Sequence, residues 1–274
     1  MRNTGRQRQG IAILLFFLSL AAAPVQAGQV VDLVRSRGEL RCGVSEGTPG
    51  FSAQDAAGHW HGLDVDFCRG LAAAILGDPG KVRFFPLRAS ARFPSLLSGQ
   101  VDLLARNTTW TLTREALLKV RFPATLYYDS QGFLVRRDAQ VRSMADLRGE
   151  VICVEKGTTH ALRLGTVFAA RGLTVTPLVT ETAADSRAAL FAGRCKAYSA
   201  DASHLAGIRL EAETADDYLL LPERVSKEPL GPVVRQEDPE WETLVRWVLF
   251  LLFAAEEFGV TSANIDAASA GAIG

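Results

Sequence analysis

The chain has 274 residues, 48% of them hydrophobic and 22% charged, with 30 Lys+Arg balancing 30 Asp+Glu. This composition excludes disordered and collagenous chains, and the lack of a basic surplus argues against nucleic acid as a partner. The four cysteines include no C-x-x-C pair, which argues against a zinc ribbon or a thioredoxin-type site.

In chain order, Arg2, Arg6 and Arg8 precede an uncharged run over 11–23, then Pro24 and Val25-Gln26-Ala27. This is the order of a secretory signal peptide over residues 1–27, cut after Ala27, with an apolar run too short to span a bilayer comfortably. Its removal leaves 27 basic against 30 acidic side chains. Export favours disulfides. Four cysteines allow three connectivities, with four buried thiols as the alternative. Cys42 with Cys68 and Cys153 with Cys195 is the favoured set, because each pair staples one half of the chain.

The remainder alternates strands and helices. Leu40–Val44 is a short extended run closed by Gly47-Thr48-Pro49-Gly50, and Leu63–Leu76 has helical apolar spacing. A strand follows over 82–85, a helix over 91–97, a strand over 101–105 and an extended run over 127–136. The second half continues with a short helix over 143–147, a strand over 151–154, a helix opened by Gly157-Thr158-Thr159, and a strand over 175–179. A helix over 183–192, a strand over 197–199 and a helix over 203–210 complete the alternation, which predicts parallel α/β sheets in two halves. The stretch 241–258 is the longest helical candidate. Its apolar segment 247–255 is too short for a membrane span and reads as a buried core helix.

Three segments carry candidate chemistry. Arg106-Asn107-Thr108-Thr109-Trp110-Thr111-Leu112-Thr113-Arg114 follows a strand, at the end of an α/β sheet where ligands bind. It is rich in donors, and Arg114 suits a carboxylate because its planar fork makes two parallel bonds; the alternative is a surface helix residue. Thr158 and Thr159 open a helix, either as an anion site or as an ordinary N-cap. Asp201 follows a strand, either as the partner of an ammonium group or as a helix N-cap. Together these offer an anion site and a cation site, the pattern a zwitterion needs.

Rival motifs are weaker. Gly43-Val44-Ser45-Glu46-Gly47 matches G-x-S-x-G, but the turn residues Pro49 and Gly50 follow where a nucleophile elbow needs a helix. His59-Trp60-His61 lies between glycines and reads as an exposed hairpin edge rather than a metal site. No phosphate-binding glycine motif is present.

Seven stretches carry a resemblance. These are Leu40-Arg41-Cys42-Gly43-Val44, Gly62-Leu63-Asp64-Val65-Asp66-Phe67-Cys68, the run from Val101 through Asn107-Thr108-Thr109-Trp110-Thr111, and Tyr127-Tyr128-Asp129-Ser130-Gln131-Gly132-Phe133. The others are Ile152-Cys153-Val154, Ala192-Gly193-Arg194-Cys195, and Ser226-Lys227-Glu228-Pro229-Leu230-Gly231-Pro232. With them the chain resembles the periplasmic solute-binding proteins (family 3) of polar amino-acid ABC transporters, most closely the general L-amino-acid-binding branch.

The resemblance implies an α/β, two-lobed periplasmic-binding-protein fold of type II with two crossing strands as hinge. Residues 28–130 and 236–274 would form lobe 1, residues 131–235 lobe 2, with crossings near Gly132-Phe133 and Val233-Val234. It implies that Arg114 grips a ligand carboxylate, helped by the Thr109 backbone N–H and by Thr159. The Asn107 carbonyl and Asp201 would take the ammonium, and Phe51 would supply an aromatic wall. A second wall falls at Ala89. Arg106 either touches the ligand side chain or braces its loop. The implied function is a periplasmic receptor, not an enzyme, that carries a free L-amino acid to a membrane permease. It would act as a monomer without cofactor or metal. The alternatives are a prephenate-type dehydratase on the same fold, with Glu46, Glu155 or His160 as the acid, and a sensor domain.

Overall fold

The computed structural model describes residues 28–212, 215–261 and 263–265; the signal-peptide reading of residues 1–27 lies outside them. The chain opens with α1 (Gln29–Arg37), β1 (Leu40–Val44), the hairpin β2 (Ala53–Gln54) and β3 (Trp60–His61), α2 (Leu63–Leu76) and β4 (Val82–Pro86). It continues with α3 (Arg92–Leu97), β5 (Leu103–Thr109), α4 (Leu112–Leu118), β6 (Val120–Arg121), β7 (Tyr127–Asp129) and β8 (Gln131–Arg136). Then come β9 (Val151–Glu155), α5 (Thr159–Ala169), β10 (Thr176–Thr180), α6 (Ala183–Phe191), β11 (Ala197–Asp201) and α7 (Ala202–Glu211). The last elements are β12 (Tyr218–Leu220), β13 (Glu228–Arg235) and α8 (Pro239–Glu257). The short helix read at 143–147 is a 3-10 turn, Met144–Leu147.

Two sheets organise these elements. The first has the order β4-β1-β5-β13-β6, with β7 also paired to β13; the second has the order β10-β9-β11-β8-β12. In the first, β4, β1 and β5 run parallel and β13 joins them antiparallel; in the second, β10, β9 and β11 run parallel, and β8 pairs antiparallel with both β11 and β12. The chain therefore passes between sheets twice, between β7 and β8 and between β12 and β13. Helices α1, α2 and α8 cover one face of the first sheet around Phe67, Leu71 and Trp241. Burial of Val65, Phe67, Leu71 and Ile75 on α2 contributes roughly 1.5–3 kcal/mol per side chain. The second sheet is packed by α5 through Leu164 and Phe168 on one side, and by Leu190, Leu205 and Ile208 on the other.

Each half carries one disulfide. Cys42 on β1 joins Cys68 on α2, and Cys153 on β9 joins Cys195 just before β11. Of the three connectivities the sequence allows, this is the one favoured above.

Two readings change. The Asn107-Thr108-Thr109 stretch is strand rather than loop, because β13 pairs Leu230 with Thr109 and Gly231 with Thr108 and so prolongs β5. Helix α8 is not buried all round. Trp241, Val245, Val248 and Leu249 face the core, while Trp247 (60%), Leu251 (67%) and, at the C-cap, Phe258 (79%) are exposed. Among the described residues no helix is long and apolar enough to cross a membrane.

Candidate functional site

The two sheets meet at a cavity of about 360 Å³. Its first wall grows from the end of β5. Asp64, the first acid of the G-x-D-x-D stretch, is 2% exposed and accepts the Asn107 N–H at 3.2 Å. That bond holds Asn107 at a φ of 32°, a left-handed conformation rare for a residue with a side chain. Burial pushes the Asp64 carboxyl up to about 7, partly opposed by the Asn107 N–H and by Arg106.

Beyond β5, Thr111 caps α4 by accepting the Arg114 N–H at 3.2 Å. The Arg114 side chain turns back over the strand end. Its Nη1 donates to the Thr109 carbonyl at 2.6 Å, and its guanidinium lies 5.4 Å from the Phe93 ring centre. Arg114 is 8% exposed, so it is not a surface residue. Burial pulls its pKa down to about 10, with Glu228 and Asp201 opposing, which leaves it charged at neutral pH.

Arg106 and Arg92 complete this wall. Arg106 donates Nε to the Leu87 carbonyl at 2.8 Å, and its Nη2 lies 3.6 Å from Glu155 across the cavity. It therefore braces the loop and also lines the cavity. Arg92, which the sequence reading passed over, is 3% exposed and donates Nη2 to the Gly157 carbonyl at 3.1 Å. Its Nε has no hydrogen-bond partner among the described residues. Burial, with Arg114 and Arg106 nearby, pulls its pKa well below the ordinary arginine value.

The second wall comes from the ends of β9 and β11. Gly157 adopts φ +79° and passes so close to Ser90 of the first wall that a Cβ would come within 2.8 Å of its Cα, so only glycine fits there. Thr158 is the N-cap of α5, accepting the Ala161 N–H at 3.1 Å. Capping thus falls to Thr158 and releases Thr159, whose Oγ1 lies 3.4 Å from Thr109 Oγ1. Asp201 occupies the N-cap position of α7 but makes no capping bond. Its Oδ2 accepts from Asn107 Nδ2 at 3.1 Å, and its Oδ1 lies 3.2 Å from His160 Nε2. Burial would raise the Asp201 carboxyl, but His160 outweighs it and holds the group below the usual value; Asp201 in turn raises His160 against its own burial. His204, 6% exposed on α7, has both ring nitrogens unpartnered among the described residues, and burial pulls it down to about 4.

The structure thus gathers Arg106, Asn107, Thr109, Arg114, Thr159 and Asp201 around one cavity. Phe51 is not among its lining residues. Its ring packs edge-on against Tyr127 at 5.3 Å, and its carbonyl accepts the Asp64 N–H at 3.0 Å. At Ala89 the wall is a backbone N–H donated to Glu155 at 3.1 Å. Ser45 of the G-x-S-x-G stretch is buried among the hydroxyls of Thr48 and Ser52, with no helix after it. His59 is exposed at the hairpin, and no cluster that could hold a metal exists among the described residues.

A sequence model of bacterial extracellular solute-binding proteins, family 3, matches residues 40–261. The chain belongs to this family. The general L-amino acid-binding periplasmic protein AapJ of Rhizobium johnstonii is 45% identical to this solute-binding protein over 249 residues, 91% of the chain and 73% of the relative. The glutamate/glutamine/aspartate/asparagine-binding protein BztA of Rhodobacter capsulatus is 45% identical over 259 residues, 93% of the chain and 77% of the relative. Among solved structures, an ABC transporter/periplasmic binding protein from Brucella ovis with glutathione bound superposes with a TM-score of 0.83 at 44% identity. That match covers 86% of this solute-binding protein and 74% of the other chain.

Proposed function

We propose that this solute-binding protein is a periplasmic receptor that closes on one free L-amino acid and delivers it to the permease of an ABC transporter. The observation that carries the reading is the pairing of buried Arg114 and buried Asp201 on opposite walls of one cavity. Arg114, the Thr109 N–H and Thr159 take the α-carboxylate. Asp201 and the Asn107 carbonyl take the α-ammonium. A ligand with both groups binds the closed form better than the open one and so draws the lobes together. The cavity falls within the range of about 300–1,000 Å³ common for small-molecule sites.

Arg92 refines the ligand class. A buried cation is costly without an anion to balance it, and Arg92 lines the same cavity with only the Gly157 carbonyl as its hydrogen-bond partner among the described residues. An amino acid with an acidic or amide side chain supplies an acceptor there. The names of BztA and of other relatives, which include glutamate and aspartate import proteins, agree with that choice.

The lobes of this reading are residues 28–129 with 228 onward, and 131–220. Pairing of β13 with β5, β6 and β7 supports a boundary before Glu228 rather than at 235. Export is followed by cleavage after Ala27. In this reading the working unit is a monomer.

Calorimetric titration of the mature protein with a panel of L-amino acids tests the reading. Acidic and amide amino acids should bind in a single class of site, and Arg114→Ala should abolish or greatly weaken it. If every amino acid fails to bind, or if the variant binds as well as the parent, the receptor reading is wrong.

A further inference from the structure

Among the described α-helices whose N-cap residue carries a side-chain oxygen, one capping rule holds with one exception. Thr111, Thr158, Thr182 and Asp238 each stand at an N-cap and each accept an amide of their own first turn. Asp201 stands at the N-cap of α7 and does not. An aspartate there normally gains about 1 kcal/mol by taking the amide two or three residues on. Something else must satisfy that helix end and leave Asp201 free.

That group is Asp129, the last residue of β7 at the first crossing between sheets. Its carboxylate accepts the Ser203 hydroxyl in a short hydrogen bond, the Ser203 N–H at 3.4 Å, and the neighbouring Ser130 N–H at 2.7 Å. The Ser130 carbonyl takes the adjacent Ala202 N–H at 2.8 Å. The first two amides of α7 are thus satisfied from the crossing. A distant carboxylate capping a helix has a precedent in the same molecule, where Asp238 receives the Gly28 and Val30 amides of α1.

We propose that Asp129 is a positioning residue for the ammonium subsite: by capping α7 from the crossing strand, it occupies the place Asp201 would otherwise fill and leaves the Asp201 carboxylate turned into the cavity. Asp201 Oδ1 then has no well-aligned hydrogen bond among the described residues; it faces His160 Nε2 at 3.2 Å and the cavity. Capping and ligand recognition are divided between two aspartates from opposite sides of the hinge.

The binding arm of the test rests on the amino-acid reading; the structural arm does not. In the full mature protein, the titration of His160 is followed by NMR, assigned with His160→Gln. In Asp129→Ala, Asp201 turns back onto the free amide of Ser203, and the His160 midpoint falls toward the value its burial dictates. An unchanged midpoint overturns the proposal, whether or not any amino acid binds. In the second arm the probes are L-glutamate and glutarate, which keeps both carboxylates and lacks the ammonium. Asp129→Ala weakens L-glutamate about tenfold, as loss of one charged hydrogen-bond partner does, and glutarate by less than about twofold. Equal losses for the two probes overturn it. Asp129→Asn keeps an oxygen for Ser203 and restores both readouts; if it behaves like the alanine variant, capping is not the role of Asp129.

Discussion

The two walls of the cavity are built alike and charged oppositely. Each is the edge where parallel strands end and helices begin. The first wall supplies the buried cations Arg92, Arg106 and Arg114; the second supplies the buried carboxylates Glu155 and Asp201. They already touch, through Arg106 and Glu155, Asn107 and Asp201, and Arg92 and the Gly157 carbonyl. The difference teaches that the polarity of the cavity is written into the fold; in the receptor reading proposed above, it sets the α-carboxylate toward Arg114 on the first wall and the α-ammonium toward Asp201 on the second. In the proposed closure, opposite charges would meet away from bulk water, where their attraction is strongest.

The sharpest way to break that polarity is to remove its cationic end. Arg114→Ala strips a buried, hydrogen-bonded guanidinium from the carboxylate subsite. Losses of about 2–5 kcal/mol are usual for such a partner, or between about thirtyfold and a few thousandfold in affinity. Titration calorimetry with the best amino acid reads it directly. The staples come next, because they test whether the halves are equally dependent on their cross-links. The Cys42–Cys68 and Cys153–Cys195 pairs close sequence separations of 26 and 42. On the chain-entropy model their loss costs about 3.5 and 4 kcal/mol. Denaturant unfolding of the two double-serine variants should show nearly equal destabilisation. A lobe indifferent to its disulfide would show the two halves to be stabilised by different means.

The anionic end is weaker on its own. Asp201→Asn keeps the size of the side chain and the bond to Asn107 but removes the charge. A loss of about 1.5–3 kcal/mol in amino-acid affinity is expected, the range of one hydrogen bond to a charged group. The loss should be much smaller for a ligand without an ammonium, and equal losses for the two would mean that Asp201 acts through the shape of the cavity.

Alternation of apolar runs revealed the α/β class and most strands, since parallel strands covered on both faces carry continuous apolar sequence. It did not reveal β13. Glu228-Pro229-Leu230-Gly231-Pro232 contains two residues without a backbone N–H, which argues against a strand. The chain accommodates them with a register shift between Gly231 and Val233. Arg114 and Asp201 were legible as candidates because they sit where strands give way to helices, and Thr109 only through the resemblance; all three line the cavity. Arg92 was not. It begins a six-residue helix with no motif around it, and only the fold shows that it is buried. The role of Asp129 was hidden for a related reason, since capping from 74 residues away leaves no local pattern. The outer face of α8 misled in the opposite direction: nine consecutive non-polar residues predict full burial, yet only one side of the helix meets the core.

The smallest effect compares the walls by their protons. Asp64 behind the first wall has its carboxyl raised to about 7, and His204 on the second has its imidazole lowered to about 4, both by burial. In the unfolded chain they titrate near 3.9 and 6.5. As the pH falls from 6.5 to 5, folded Asp64 takes up a proton that the unfolded chain does not, so its burial costs less and stability rises. Over the same interval the unfolded chain protonates His204 and the folded one does not, so stability falls. Each change is about 2 kcal/mol by linkage, and they have opposite signs. These two groups therefore nearly cancel in the parent protein. His160 and the other titrating groups contribute to parent and variants alike, so the comparison is with the parent at each pH. Relative to the parent, His204→Gln should gain about 2 kcal/mol of unfolding free energy between pH 6.5 and 5, and Asp64→Asn should lose about as much. Urea unfolding at the two pH values measures both. Variants that shift in parallel, or not at all, would mean that one of the two groups reaches solvent and titrates as it does in the unfolded chain.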